Sequence, residues 1–210
     1  MIVTKRKPME ELEEIIKPYK KVAIIGCGGC ATVYETGGRK QVNELAEKLS
    51  GVVISGVIPR LCSIEMVKTK MPKEIEEVEA IVVLSCGIGV QTVAEVLPEK
   101  VAIPGLDTFF MGRREDNFFI EYCLGCGSCI LHTTGGICPI ARCPKSMLNG
   151  PCGGVYNGKC ETDRTRDCAW MLIYRKLSST GKLGGMRGIA APKNFIKAAH
   201  TRKLAVEERA

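Results

Sequence analysis

The chain has few aromatic residues and almost no histidine. Aromatic residues make up 5% of its 210 residues, and His132 and His200 are the two histidines. Proteins that bind single-stranded nucleic acid stack the bases on aromatic side chains, so this composition argues against that function. Histidine is also the commonest side chain in acid–base catalysis. We find no acid–base pair, nucleophile constellation or flavin-binding motif, and we therefore predict no catalytic residue in this chain.

Long apolar runs are also missing. No stretch reaches the roughly 18 apolar residues that a membrane-spanning helix needs. The first residues, Met1–Pro8, lead into acidic residues rather than into the apolar segment of a secretion signal. We therefore expect a cytoplasmic protein without a membrane span. Thiols stay reduced in the cytoplasm, so abundant cysteine would indicate metal binding there rather than a disulfide framework.

Acidic residues are scarce in the second half of the chain. Residues 1–118 are almost neutral, whereas residues 119–210 contain 14 Lys or Arg and 6 Asp or Glu. From Trp170 to Val206 there are eight basic residues and no acidic one. This excess indicates an anionic partner, which could be a nucleic acid, a phosphorylated cofactor or an acidic protein face. Alternatively, the cations balance the negative charge of metal-bound thiolates nearby.

Cysteine, by contrast, is abundant, with twelve in 210 residues. The first four, here called the strand-end set, are Cys27, Cys30, Cys62 and Cys86. The other eight, here called the module set, are Cys123, Cys126, Cys129, Cys138, Cys143, Cys152, Cys160 and Cys168. Four thiolates bind one structural zinc ion or one iron–sulfur cluster, so four plus eight cysteines predict three metal sites.

Residues 1–118 alternate predicted strands with predicted helices. Short β-branched or apolar runs predict buried strands at Lys21–Ile25, Val52–Ile58, Ala80–Ser85 and Val101–Ile103. Helical spacing predicts helices at residues 9–20, 41–49 and 92–97, with an acidic helical turn at Glu74–Glu79. This alternation predicts an α/β fold, a small three-layer parallel-sheet domain of the flavodoxin or Rossmann type.

In such a sheet, the loops that follow the strands build the functional site. Each member of the strand-end set follows a predicted strand, so all four should converge at one end of the sheet. Gly26-Cys27-Gly28-Gly29-Cys30 has the glycines that a tight turn around metal-bound sulfur requires. The same turn could instead bind phosphate, but it does not match the G-x-G-x-x-G pattern.

The module set begins with a compact C-x2-C-x2-C run at Cys123, Cys126 and Cys129. This spacing lets one loop surround a cubane cluster and occurs in bacterial-type ferredoxins. Cys138-Pro139 and Cys143-Pro144 resemble the Cys-Pro that supplies a remote ligand in such proteins. The later spacings leave the division of the eight ligands into two fours open. The segment is rich in Gly and Pro and lacks periodicity, so we expect metal to form its core. His132 is a further candidate ligand, although a surface position suits it better.

Two helices are predicted after the last cysteine. Trp170–Leu177 is apolar, whereas Asn194–Val206 is basic with Phe195 and Ile196 among its apolar positions. A basic amphipathic segment after a Gly-rich break suits docking on another chain, or packing on its own domain. We therefore predict three parts: an α/β domain at 1–118, a cysteine-rich iron–sulfur or zinc module at 119–170, and a basic helical segment at 171–210.

The module also carries a family resemblance. The C-x2-C-x2-C run, Gly136-Ile137-Cys138-Pro139 and the block from Cys143 to Gly154 (CPKSMLNGPCGG) resemble the small iron–sulfur subunit of two-subunit methylenetetrahydrofolate reductases of anaerobes. They are also similar to the cysteine-rich C-terminal domain of some methylenetetrahydrofolate reductases. The strand-end set is similar to the N-terminal half of the same subunit. The resemblance covers roughly residues 20–170.

The resemblance implies a non-catalytic electron-transfer subunit. Its partner would be a flavin-bearing catalytic subunit that converts methylenetetrahydrofolate to methyltetrahydrofolate, with ferredoxin or further electron-transfer subunits as additional partners. The cofactors it implies are two [4Fe–4S] clusters, with the third four-cysteine site holding zinc or a further [4Fe–4S] cluster. Two other functions are compatible with the residues. One is a zinc-dependent module that binds nucleic acid or protein, and the other is an independent enzyme with an open iron site.

Overall fold

A computed structural model describes residues 1–198 of the chain. It divides into two compact units, the first being Met1–Ile120 and the second beginning at Glu121. The three-part organisation predicted from the sequence, with boundaries after residues 118 and 170, stays a prediction. Of the predicted basic helix Asn194–Val206, residues 199–206 lie outside the described residues, and a 3-10 helix occupies Phe195–Ala198.

A four-stranded parallel sheet forms the centre of the first unit. Its strands are β2 (Val22–Cys27), β3 (Val52–Ile58), β4 (Ala80–Leu84) and β5 (Val101–Pro104), in the order β3-β2-β4-β5. Every residue of β2 and β4 is buried, as expected for parallel strands covered on both faces. The four strands predicted from the sequence are therefore confirmed, and so is the α/β fold class.

Helices connect and flank these strands. They are α1 (Met9–Ile16), α2 (Cys30–Val33), α3 (Arg39–Lys48), α4 (Ile64–Lys70) and α5 (Gly87–Val96), with a 3-10 helix at Lys73–Glu77. The apolar stripe of α1 places Leu12 and Ile16 in the core, and α3 buries Val42. Helix α5 begins at Gly87, five residues before the predicted start, whereas α2 and α4 were not predicted.

A second, antiparallel sheet was also not predicted. It consists of β1 (Ile2–Arg6), β6 (Leu106–Glu115) and β7 (Phe118–Cys123), in the order β1-β6-β7. Strand β1 pairs with β6, for example through Lys5 and Asp107. Its first strand contributes the buried Val3, and β6 contributes the buried Leu106. The first unit is thus a parallel sheet with an antiparallel one, rather than a parallel sheet alone.

The second unit contains little regular structure within the described residues. It has the short helix α6 (Pro139–Arg142), helix α7 (Ala169–Ser179) and a 3-10 helix at Leu183–Arg187. The helix predicted at Trp170–Leu177 is α7. Its buried face, made of Trp170, Ile173 and Leu177, packs against apolar residues that include Ile137 and Met147. Helix α7 thus supplies the second unit with a small apolar core, whereas the expectation that metal forms the core of the cysteine-rich module stays a prediction. Across residues 1–198, no helix is long and apolar enough to cross a membrane.

Candidate metal centres

Three cysteines of the strand-end set lie at the carboxyl ends of three neighbouring strands. Cys27 is the last residue of β2, Cys86 caps the start of α5 just after β4, and Cys62 follows the end of β3. Strand β2 lies between β3 and β4. The chain crosses from β2 to β3 on one side and then to β4 on the other, which makes a topological switch point. Ligands of open α/β sheets bind at such a point.

The thiol of Cys27 is the most enclosed of the set, with only 8% of the residue exposed. Burial raises the pKa of Cys27, and backbone N–H groups of Leu61 and Gly29 that donate to its sulfur lower it. The negative charges of the Cys62 and Cys86 thiolates raise the pKa further. Cys62 and Cys86 are therefore both within electrostatic reach of Cys27, and backbone N–H groups donate to the Cys27 sulfur.

Cys30, the fourth member, begins α2 three residues after Cys27. Its charge, after the larger effect of burial, raises the pKa of Tyr34 one helical turn later. The Tyr34 hydroxyl donates to the carbonyl oxygen of Gly112 at 2.9 Å, and its ring meets Phe119 edge-on at 4.5 Å. The antiparallel sheet thus fixes the short helix that carries Cys30.

The loop that carries Cys123, Cys126 and Cys129 turns through two glycines with left-handed backbone angles. The φ values are 61° at Gly125 and 69° at Gly127, a region that favours glycine. The N–H of Gly125 donates to Cys123 Sγ at 3.4 Å. The glycines of the C-x2-C-x2-C run therefore shape the loop, and one of them also supplies a donor to sulfur.

A lysine distant in the sequence contacts the middle cysteine of this loop. Lys193 Nζ donates to Cys126 Sγ at 3.0 Å and to the carbonyl oxygen of Ser128. The hydrogen bond from Lys193 is the main reason why the pKa of Cys126 is lowered, and a backbone bond from Ser128 adds to it. The sequence held no signal for this contact, because 67 residues separate the two side chains and Lys193 is one of eight basic residues in its region.

The next two cysteines bracket helix α6. Cys138 caps its start, where Cys138 Sγ accepts the N–H of Ala141 at 3.5 Å, and Cys143 follows its end. The guanidinium of Arg142 lies 4.5 Å from the centre of the Tyr122 ring. Residues next to Cys143 and next to Cys123 are therefore in contact.

Of the last three cysteines, Cys152 is exposed, whereas Cys160 and Cys168 are partly buried. Cys160 Sγ lies 3.2 Å from the Thr162 hydroxyl, and this bond is the main reason why the pKa of Cys160 is lowered. His132, the other candidate ligand, is exposed. All twelve cysteines are free thiols.

Thiolates can bind either a zinc ion or an iron–sulfur cluster. Sulfurs around one tetrahedral zinc lie about 3.8 Å apart, given Zn–S bonds of about 2.3 Å. Among residues 1–198, no three His, Cys, Asp or Glu side chains are grouped closely enough to hold a single ion. A cubane cluster takes one thiolate at each of four separate iron corners and so tolerates wider spacing. Backbone N–H groups donate to the sulfurs of Cys27, Cys123 and Cys138, and such hydrogen bonds would tune a cluster if one were bound there.

The fold and the donor set define a two-unit α/β protein with cysteine-rich candidate metal sites. Residues 103–196 match the family described as the C-terminal part of methylene-tetrahydrofolate reductase. The matched region is somewhat less than half of the chain and contains the whole module set but none of the strand-end set. No curated protein and no solved structure matches the chain. The resemblance of the module to a methylenetetrahydrofolate reductase C-terminal domain is thus confirmed for residues 103–196.

Proposed function

We propose that this chain is the iron–sulfur subunit of a two-subunit methylenetetrahydrofolate reductase, relaying electrons to or from the flavin of a catalytic partner. The observation that supports this most is the position of Cys27, Cys62 and Cys86 at the carboxyl ends of three neighbouring strands, in a chain whose module matches a methylenetetrahydrofolate reductase domain. The proposed cofactors are two [4Fe–4S] clusters, with zinc or a third [4Fe–4S] cluster in the remaining four-cysteine site.

The surroundings of the cysteines suit electron transfer. A [4Fe–4S] cluster, when bound, accepts and gives up one electron without a large rearrangement of its ligands. The N–H groups of Leu61 and Gly29, and the ammonium of Lys193 beside Cys126, place positive charge next to sulfur. Such donors stabilise the additional negative charge of a reduced state. Burial of Cys27 keeps water from this part of the site.

The C-terminal segment supports docking on a flavin-bearing partner. Ile189 is 90% exposed and Ile196 is 82% exposed, and Lys193 and Lys197 lie between or beside them. Large exposed apolar side chains with a polar rim are typical of protein interaction surfaces. A catalytic subunit, a ferredoxin or another electron-transfer subunit with an acidic face would complement this charge.

The metal content of the whole chain tests the proposal directly. The protein is purified without oxygen, and iron, labile sulfide and zinc are counted per chain, with electron paramagnetic resonance after reduction. We expect about eight iron and eight sulfide with one zinc ion, or about twelve iron and twelve sulfide if the third site holds a cluster, with a signal typical of reduced [4Fe–4S] centres. Cys62→Ala should remove one cluster's iron, and the exposed neighbour Ile64→Ala should remove none. A colourless chain that holds zinc without iron or sulfide would refute the proposal and favour the zinc-dependent binding module.

The partner is tested separately. The chain should co-purify with a flavoprotein and, when reduced, bleach the flavin absorbance. Ile196→Ser should weaken that complex by about tenfold, in the range of about 1–2 kcal/mol for an apolar interface residue, while leaving the iron content unchanged. Ile64→Ser, in the first unit, is the matched control. An intact complex with Ile196→Ser would show that this segment does not dock.

A further inference from the structure

The division of the eight cysteines of the module set is open from the sequence but constrained by the structure. Any inference about this division rests on the proposed metal ligation of the module. It does not depend on whether iron or zinc is bound, because both are held by four thiolates. The constraints come from backbone pairing, from contacts around Glu161 and from the position of α6.

Cys160 and Cys168 lie on the same face of a small antiparallel pairing. Lys159 and Asp167 form the bridge, with hydrogen bonds from Cys160 N to Arg166 O at 3.0 Å and from Cys168 N to Gly158 O at 2.8 Å. Side chains alternate between faces along each strand. The ion pair of Lys159 with Asp167, at 2.8 Å, occupies one face. The two cysteines therefore share the other face as diagonal neighbours, whose Cα atoms are about 7–8 Å apart.

Two other cysteine segments are attached to the same turn through Glu161, the residue after Cys160. Lys145, two residues after Cys143, forms an ion pair with Glu161. The Glu161 side chain also covers Gly154, two residues after Cys152, where a Cβ atom would collide with its carboxylate. Arg164 Nη1 donates to the carbonyl oxygen of Gly154 at 3.2 Å. The segments that follow Cys143 and Cys152 are thus held beside Cys160.

The remaining cysteine outside the C-x2-C-x2-C loop is Cys138, at the start of α6. Ile140, in the first half of α6, lines the same cavity as Leu124 and Cys126 of that loop. Ser146, Leu148 and Asn149, from the segment after α6, line that cavity too, and Arg142 at the end of α6 contacts Tyr122. Both ends of α6 therefore lie near the loop. The Lys145–Glu161 ion pair separates the two cysteines, because it holds the segment after Cys143, and not the one that contains Cys138, at the turn.

We propose that the module set forms two independent four-thiolate sites. The loop site consists of Cys123, Cys126, Cys129 and Cys138. The turn site consists of Cys143, Cys152, Cys160 and Cys168. Helix α6 lies between the two sites, with Cys138 at its start in the loop site and Cys143 after its end in the turn site.

Protection of thiols from alkylation tests this division in the full-length chain. Single variants are purified without oxygen, treated with iodoacetamide under native conditions, and mapped by mass spectrometry. Cys160→Ala should lose one site's metal and expose the three other thiols of the turn site, leaving the loop site protected. Cys129→Ala should do the reverse. Cys62→Ala, in the strand-end set, is the matched control and should leave all eight thiols of the module set protected.

The outcomes are distinguishable from failure of the proposed function. Labelling of Cys138 instead of Cys143 in Cys160→Ala would overturn the division, and so would labelling of all seven remaining thiols, since the sites would then not be independent. The expected pattern in a protein that holds only zinc would support the division while refuting the electron-transfer function. Metal content of double variants is the second measurement. The double variant Cys129→Ala/Cys138→Ala should lose no more metal than either single variant, because both residues belong to the loop site. The double variant Cys138→Ala/Cys143→Ala should lose the metal of both sites.

Discussion

Gly37 is predicted to be essential for the geometry of the strand-end set. It is buried, and a Cβ atom there would collide with the carbonyl group and the Cβ of Leu84, at the end of β4. Its own carbonyl accepts the N–H of Cys27 at 3.1 Å. Gly37→Ala would therefore push apart the ends of two strands, β4, which ends just before Cys86, and β2, whose last residue is Cys27.

The size of the effect follows from which atoms clash. Overpacking costs about 1–3 kcal/mol, and backbone atoms of a central strand cannot rotate away, so we take about 3 kcal/mol. Replacing glycine with alanine also lowers the conformational entropy of the unfolded chain, which stabilises the folded state by about 0.4–1 kcal/mol. The net loss in the free energy of unfolding is then about 2 kcal/mol, or roughly 30-fold in the folding equilibrium.

Gly56→Ala is the matched control. Gly56 lies in β3 of the same sheet, and a Cβ there would meet Ile25 and Pro72 at ordinary contact distances of 3.8 and 4.0 Å. It should be neutral or stabilising by about 0.5 kcal/mol. Amide hydrogen exchange of β2 and β4 in metal-loaded protein measures both variants. Equal exchange rates in Gly37→Ala and Gly56→Ala would refute the steric argument. An unchanged metal content of the strand-end set in Gly37→Ala would refute the link between Gly37 and that site.

Two further predictions concern the second unit. If Cys126 binds a cluster as proposed, Lys193→Met should lower its reduction potential, because the ammonium favours the reduced, more negative state. Lys182→Met, at an exposed lysine, removes the same charge as a control, and an equal shift in both variants in a spectroscopic redox titration would contradict a local effect. Ile173→Val, at a side chain that is fully buried, should cost about 1 kcal/mol. Urea unfolding followed by the fluorescence of Trp170, the only tryptophan, measures this cost, and an unchanged midpoint would show that the α7 core does not stabilise the unit.

The parallel sheet could be predicted because its strands are buried on both faces. Such strands form short continuous apolar runs, as in Ala80–Leu84, and these runs are separated by helical periodicity. The rule that sites form at strand carboxyl ends predicted that Cys27, Cys62 and Cys86 lie together, and the structure brings Cys62 and Cys86 within electrostatic reach of Cys27.

The antiparallel sheet could not be predicted in the same way. Phe109 is 60% exposed and Phe118 is 72% exposed, so β6 and β7 do not show the alternation of a half-buried strand. Strand β6 also contains Gly112 and ends in charged residues. The pairing of β1 with β6 joins residues about a hundred positions apart, and no local pattern carries that information.

Long-range contacts explain the other misses in the second unit. The placement of Cys160 and Cys168 on the same face depends on the bridge between Lys159 and Asp167, and no run of β-branched residues predicts that bridge. The contact of Lys193 with Cys126 depends on where the segment after α7 is placed. The cysteine count identifies the candidate ligands, but it carries no information on the backbone contacts that would divide them between two sites.

The two units hold their cysteines by different means, and this difference bears on metal binding. Cys27 and Cys86 lie at the ends of strands in a core of more than twenty buried residues, so much of the strand-end set is positioned by packing alone. The module set is held by loops, and among residues 121–198 the buried apolar cluster beside them consists of Trp170, Ile173 and Leu177. Where no preformed site exists, the free energy of metal binding is also free energy of folding. Loss of metal should therefore leave the parallel sheet folded but unfold the loops of the second unit. Any electron relay through the module would then depend on bound metal for its structure as well as for its redox chemistry.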